Sequence, residues 1–143
     1  MRRLIAVASV AFAPAVACAQ APQFITTNSQ STAPFSPAVK VGNMLYLAGQ
    51  LGTDKGKLVA GGIGPETKQA LTNIKTVLEA NGSDMDHVVK CTVFLADMKE
   101  WPAMNDVYRT MFTAGKFPAR SAFGTTGLAN DARTEIECMA VVK

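Results

Sequence analysis

The sequence predicts an α+β domain in which two helices cover one face of a β-sheet. Three observations predict it. The segments run in the order β-β-β-α-β-α-β-β, which segregates strands from helices too strongly for a doubly wound parallel sheet. A stripe of apolar residues at helical spacing marks a helix that packs on a sheet. An apolar run, Val88 to Ala96, is rich in β-branched residues and is predicted to be the central strand.

The first 19 of the 143 residues have the pattern of a secretory signal peptide. Arg2 and Arg3 precede the apolar run from Leu4 to Val16, and Ala17-Cys18-Ala19 supplies a small-residue cleavage site. The apolar run is too short to predict a membrane span. We therefore predict a periplasmic or secreted protein with a signal peptide at 1–19, an N-terminal arm at 20–33 and one domain at 34–143, without stable membrane insertion.

A competing interpretation of the same segment is a bacterial lipobox. Ala15-Val16-Ala17-Cys18 resembles that motif, in which Cys18 would be lipidated. Ala15 stands where leucine is usual, so soluble export is the favoured prediction.

The charge balance gives no reason to expect nucleic acid as a partner. Removal of residues 1–19 lowers the basic residues from 14 to 12 against 11 acidic ones, so the net charge of the mature chain would be +1. There is no run of Lys and Arg that could follow a phosphate backbone.

In the first half of the domain the pattern predicts a hairpin and a helix. Ala38 to Val41 and Met44 to Gln50 are strand-like and are separated by Gly42-Asn43. Lys57 to Val59 is a candidate edge strand. Pro65 is predicted to begin the helix, Gly82 to end it, and its apolar stripe consists of Ala70, Leu71, Ile74, Val77 and Leu78.

In the second half Asp97 is predicted to cap a helix from about Lys99 to Phe112. The residues predicted to face inward are Trp101, Met104, Val107, Tyr108 and either Met111 or Phe112. Because both helices would cover the same face, the other sheet face is left open, and oligomerisation is the natural way to cover it.

The stretch from Phe117 to Val142 predicts two strands joined by a connection containing Gly, Asn and Asp. It contains Arg120, Glu135 and Glu137, and an unpaired buried charge would be costly. Alternation places Glu135 and Glu137 on one strand face. If the two strands are neighbours, a guanidinium and a carboxylate would line one shallow cleft.

The mature chain would keep two cysteines, Cys91 and Cys138, in strand-like apolar surroundings. An oxidising compartment permits a bridge between them. The favoured interpretation is two small buried residues in the thiol form, because free cysteine is among the most buried residue types.

Several kinds of catalytic site are not supported. The single histidine, His87, is predicted to be a surface turn residue, and no local cluster of ligands suggests a metal site. The chain lacks the Gly-x-Ser-x-Gly elbow of serine hydrolases. A site built from carboxylate and guanidinium groups remains.

Nine segments, in this order and spacing, resemble the YjgF/RidA family, the reactive-intermediate deaminases that act on enamines and imines. The segments are PFSPAV (34–39), VGN (41–43), LAGQ (47–50), QALTNIK (69–75), VVK (88–90), TVFL (92–95), MNDVY (104–108), FPARS (117–121) and EIE (135–137). The resemblance covers essentially the whole domain.

The resemblance implies a chorismate-mutase-like α+β fold and a homotrimer whose sheets form a central barrel, with sites between subunits. It implies hydrolysis of 2-imino or enamine acids, such as 2-aminoacrylate, to 2-keto acids and ammonia, with no cofactor and no metal. Arg120 would bind the substrate carboxylate and Glu135 would hold the attacking water. Gly49, Asn105 and Phe35 would line the cleft.

Two positions depart from the pattern of many members: Phe35 stands where tyrosine is frequent, and Ala122 where Cys or Thr is.

Three alternatives stay open. Arg120 could instead form a salt bridge to Glu135 or Glu137 at a subunit interface, and Asn105 could make a hydrogen bond on its own helix. The protein could be a non-catalytic exported trimer that binds small carboxylates or acts as a holdase. The ribonuclease activity attributed to some relatives fits poorly with near-neutral charge and export.

Overall fold

The computed structural model describes residues 20–26 and 32–143. The predicted signal peptide lies outside these residues, as does part of the predicted arm. The strands are β1 Gln23–Ile25, β2 Ala38–Val41, β3 Met44–Leu47, β4 Gln50–Leu51, β5 Thr53–Asp54, β6 Lys57–Leu58, β7 Val88–Leu95, β8 Ala119–Gly124 and β9 Thr134–Val141, and the helices are α1 Ile63–Ala80 and α2 Trp101–Tyr108. No helix among the described residues is long and apolar enough to cross a membrane.

One seven-stranded sheet forms the framework of the domain. Its order is β1-β2-β3-β9-β7-β8, with β4 also paired to β9, while β5 and β6 form a separate hairpin. β7 and β8 run parallel, and the other paired strands are antiparallel. Both helices pack on one face of the sheet, so the predicted α+β fold is confirmed.

The core lies between α1, α2 and the two central strands, β7 and β9. Alternate residues of β7, among them Val93 and Leu95, are fully buried on the helix side. In α1 the predicted stripe supplies the facing surface, with Leu71 and Ile74 completely buried. The predictions of a central strand and of an apolar helix face are both confirmed.

The helix ends differ from the predicted ends, except at the C-terminal end of α1. α1 begins at Ile63, two residues before Pro65. Pro65 therefore lies within the first turn of the helix, where proline is tolerated. Gly82 adopts φ +76° just after α1, so its predicted role at the helix end is confirmed. The predicted single helix from Lys99 is wrong in extent: Asp97 caps a short 3₁₀ turn, and only Trp101–Tyr108 is α-helical.

The predicted hairpin is present, with Gly42 at φ +61° in the turn between β2 and β3. Its second strand is shorter than predicted. β3 stops at Leu47, and β4 begins at Gln50 after a break at Ala48 and Gly49. Gly49 therefore lies in the break between β3 and β4 and not within a strand.

The predicted arm contains a strand that the sequence analysis did not identify. β1 pairs with β2 in antiparallel register, with Phe24 opposite Val39. Ile25 packs against the core, whereas the Phe24 side chain is 69% exposed. The arm thus extends the sheet at its β2 edge.

The two C-terminal strands are not neighbours, because β7 lies between β8 and β9. Their connection crosses the end of β7: the Thr125 N–H donates to Leu95 O, and the Ala96 N–H donates to Arg133 O. The condition under which Arg120 and Glu135 would line one cleft of a single subunit is therefore not met.

Cys91 and Cys138 form a disulfide, so the favoured interpretation of two free thiols is wrong. Their burial is as predicted, at 0% and 2% exposure. They occupy directly opposed positions of β7 and β9, with Cα atoms 4.1 Å apart. Side chains that face each other across antiparallel strands are close enough to bond, and the bond joins the two central strands.

Candidate active site

Arg120 extends from β8, the edge strand of the sheet, towards the helices. Its position pairs with Cys91, and that of Ala122 with Val93, both buried on the helix side. The next residue, Ser121, faces the opposite side, where its hydroxyl accepts a hydrogen bond of 3.0 Å from Lys90 Nζ. Strand alternation thus points the guanidinium of Arg120 at α2.

The Arg120 side chain is half-buried and lies against an aromatic ring. Its Cζ sits 4.5 Å from the centroid of the Tyr108 ring. In the described part of the chain the guanidinium makes no ion pair and no hydrogen bond, so neither Glu135 nor Glu137 of the same subunit pairs with it. Its N–H donors are therefore available to an anion.

An open cleft of about 440 Å³ lies between α2 and the start of β8. Its polar residues are Asn105, Arg109 and Arg120, and its remaining lining is aromatic or apolar: Trp101, Tyr108, Phe117 and Pro118. Trp101, Asn105 and Tyr108 stand at i, i+4 and i+7 of α2, which places them on one helix face. The structure therefore brings the predicted Asn105 and Arg120 together.

The aromatic residues of this cleft have no role in the predicted site. Helical spacing predicts only that Trp101 and Tyr108 face inward. Tyr108 is indeed buried, whereas Trp101 is 41% and Phe117 is 53% exposed. The sequence does contain one indication that Trp101 and Tyr108 belong to the site: Asn105 lies between them on the same helix face.

Tyr108 is 4% exposed, and burial raises the pKa of its phenol to about 12, although the nearby charge of Arg120 acts in the opposite direction. Its hydroxyl has no hydrogen-bond partner among the described residues. The Tyr108 phenol is therefore neutral at physiological pH.

Glu135 and Gly49 form a second group, on the opposite face of the sheet. Glu135 on β9 pairs with Phe94 of β7 and with Leu51 of β4, and its side chain lies on the open face. A Cβ added to Gly49 would stand 1.9 Å from Glu135 Oε1 and 2.8 Å from its Cδ. The lack of a side chain at Gly49 thus makes room for a carboxylate of the same subunit.

These two groups do not meet within one subunit. Arg120 lies opposite Cys91, which lies opposite Cys138, three residues along β9 from Glu135. Standard strand spacings separate the two backbones by about 10 Å along the strands and about 10 Å across them. The side chains also point to opposite faces. The remaining predicted residue, Phe35, is 64% exposed and is not part of the Arg120 cleft.

The open face combines apolar and polar side chains. Tyr46, Phe123 and Met139 are 42%, 52% and 37% exposed, and the Phe94 and Phe123 rings lie 6.4 Å apart. Lys90, Thr92 and Glu137 line a small depression of about 160 Å³ among them. Within the described ranges, no group of three or more His, Cys, Asp and Glu could hold a metal ion.

Comparison with known proteins identifies the family. Residues 26–142 match the model of the family described as Endoribonuclease L-PSP. A goat protein named 2-iminobutanoate/2-iminopropanoate deaminase is 49% identical over 110 residues, which are 76% of this chain and 80% of the relative.

Solved structures agree with this assignment. Yeast Mmf1 superposes with a TM-score of 0.79 at 34% identity, covering 86% of this chain and all of that one. RidA from an Antarctic Psychrobacter superposes with a TM-score of 0.76 at 33% identity, covering 84% and 99%. The chain belongs to the YjgF/RidA family.

Proposed function

We propose that this protein hydrolyses 2-imino acids, and the enamine acids in equilibrium with them, to 2-keto acids and ammonia. One observation supports the proposal most: Arg120 lines an open cleft with N–H donors that have no partner in the described chain. A planar guanidinium in that state is suited to bind a carboxylate through two parallel hydrogen bonds. Family members at 43–49% identity are named as deaminases of 2-imino acids.

The chemistry needs few groups because the imine carbon is already electrophilic. Arg120 holds the carboxylate, and the Asn105 amide offers a further hydrogen bond beside it. Water adds to the carbon of the protonated C=N bond while Glu135 accepts a proton from the water, which gives a neutral carbinolamine. Glu135 then returns this proton to the nitrogen, the C–N bond breaks and ammonia leaves. The hydroxyl that came from water gives its proton to solvent or to the departing ammonia as it becomes the ketone oxygen.

If Arg120 and Glu135 act on the same substrate, the active site requires a second copy of the chain. Arg120 and Glu135 face opposite sides of one sheet, so a cleft that contains both needs Arg120 from one subunit and Glu135 from another. The exposed apolar residues of the open face, Tyr46, Phe123 and Met139, support burial of that face against other copies. We propose a homotrimer whose three sites lie between subunits. Phe35, which is exposed in a single copy, would line these sites.

We also propose that the mature protein works outside the cytoplasm. The basic and apolar pattern of residues 1–19 supports export. The disulfide between Cys91 and Cys138 is an independent argument, since disulfides persist in oxidising compartments. The substrate imines would then come from an amino-acid oxidase or dehydrogenase in the same compartment.

Gly49→Ala should lower kcat by about 10- to 100-fold with little change in stability. The new Cβ would occupy space that Glu135 Oε1 holds, so the carboxylate must move away from the attacking water. The cost to folding is small because a flexible side chain can swing aside. Gly64→Ala is the matched control: its Cβ would meet only Val107, at an ordinary 3.6 Å. Steady-state kinetics and thermal melting of both variants test this; equal kcat values in the two would contradict the role of Gly49.

A semicarbazide competition assay tests the function itself. An amino-acid oxidase generates the imine in situ, semicarbazide traps it, and the mature protein competes by hydrolysing it. We expect the protein to lower the rate of semicarbazone formation for at least one parent amino acid. No effect across a broad series of parent amino acids, with carboxylate binding retained, would instead support a non-catalytic binding protein.

A further inference from the structure

The contact between Arg120 and Tyr108 is the interaction that orients the guanidinium. The Arg120 Cζ lies 4.5 Å from the Tyr108 ring centroid, and the side chain has no ion pair or hydrogen bond in the described chain. An arginine side chain has many rotamers, and without a contact its head would sample several of them. A cation placed over an aromatic face is attracted by the electron density of the ring.

The ring is itself held firmly. Tyr108 is the last residue of α2 and is 4% exposed. Its ring packs against that of Phe112, with centroids 4.8 Å apart and planes tilted by 39°. Because the ring is buried and packed, it offers a fixed surface on which a flexible side chain can rest.

The hydroxyl of Tyr108 takes no part in the contact with Arg120. It is buried and has no hydrogen-bond partner among the described residues. The neutral phenol keeps its face electron-rich at physiological pH. The aromatic face, and not the hydroxyl, is therefore the part of Tyr108 that Arg120 uses.

We propose that Tyr108 is the positioning residue of Arg120, its ring face holding the guanidinium with the N–H donors directed at the substrate carboxylate. The inference rests on the proposed function, since it assigns Tyr108 a task in carboxylate binding. Tyr108 is not one of the reacting groups, because it contacts the guanidinium of Arg120 and not the imine.

The kinetic test compares Tyr108→Leu with Tyr108→Phe. Leucine keeps an apolar side chain but removes the ring face, so KM should rise by about 3- to 30-fold, while kcat stays within about twofold. Phenylalanine keeps the face and removes only the unpartnered hydroxyl, so its KM should match that of the wild type. A residue that merely stabilises the fold would lower the active fraction, and hence the apparent kcat, without changing KM.

A second measurement does not depend on turnover. The Arg120 side-chain protons over the ring should be shifted upfield in the NMR spectrum of the wild type and of Tyr108→Phe, and should move towards random-coil values in Tyr108→Leu. Calorimetric titration with pyruvate should show the same order of affinities. If the wild type binds pyruvate but hydrolyses no imine, the proposed function fails while these data still decide the role of Tyr108.

Three results from the comparison of the variants with the wild type would overturn the inference. They are an unchanged KM and pyruvate affinity in Tyr108→Leu, equal losses in the Leu and Phe variants, or identical Arg120 proton shifts in all three proteins. Absence of pyruvate binding to the wild type would overturn both the inference and the carboxylate site on which it depends.

Discussion

Replacing Arg120 with alanine is expected to lower kcat/KM for 2-imino acids by about 10²- to 10⁴-fold. The estimate corresponds to the loss of two charge-assisted hydrogen bonds to the substrate carboxylate. The fold should survive, because Arg120 lies on an edge strand and its side chain has no ion pair or hydrogen bond in the described chain. The semicarbazide assay measures the loss, and thermal melting checks the fold.

Two other substitutions make this prediction specific. Arg109 lines the same cleft, but its guanidinium already pairs with Asp106 at 3.4 Å and its Nε donates to Asn105 O. Arg109→Ala should therefore change kcat/KM by only a few-fold. Arg120→Lys keeps the charge but loses the planar fork, so an intermediate loss of about tenfold is expected. Equal losses for Arg109→Ala and Arg120→Ala would show that Arg120 has no special role.

Reduction of the disulfide is expected to lower the free energy of unfolding by about 3 to 4 kcal/mol per subunit. The bridge closes a loop between residues 47 apart, and cross-linking a loop of that size restricts the unfolded chain by this amount. Urea denaturation with and without reductant, at one fixed protein concentration, measures the difference. The concentration must be fixed because the proposed association of subunits would contribute to the apparent stability.

The double variant Cys91→Ala, Cys138→Ala is the control for this experiment. It should be destabilised to a similar extent, and reductant should have no further effect on it. The denatured, unreduced chain without residues 1–19 should contain no free thiol. Two titratable thiols per chain in this sample would contradict the disulfide.

The main elements of the fold follow from local patterns in the sequence. α1 has an apolar stripe whose residues reach the core, and β7 is rich in apolar and β-branched residues. The order of the strands did not follow from local patterns. β8 pairs in parallel with β7, and a pairing between distant segments leaves no local signature. The strand β1 was missed for a related reason: its three residues are strand-like only because β2 offers them an edge.

The disulfide and the cleft also depend on contacts between distant segments, which local sequence patterns do not predict. Burial of Cys91 and Cys138 could be predicted from their apolar surroundings, but their facing positions depend on the register between β7 and β9. Arg120 and Glu135 were candidates because they are charged residues in strand-like segments, and their roles came from resemblance to a family. Asn105, Gly49 and Phe35 were assigned to the cleft through the resemblance. The contact between Arg120 and Tyr108 was not predicted, because helical spacing indicates that Tyr108 faces inward and not which side chain it meets.

The central claim is that each active site takes Arg120 from one subunit and Glu135 from another. Arg120→Ala and Glu135→Gln should each be inactive alone. When equal amounts are unfolded, mixed and refolded, random assembly of trimers leaves about a quarter of the sites with both native residues. The mixture should therefore recover up to about a quarter of the wild-type activity, measured against wild type refolded in the same way.

No recovery in the mixture, together with full recovery of refolded wild type, would contradict a site shared between subunits.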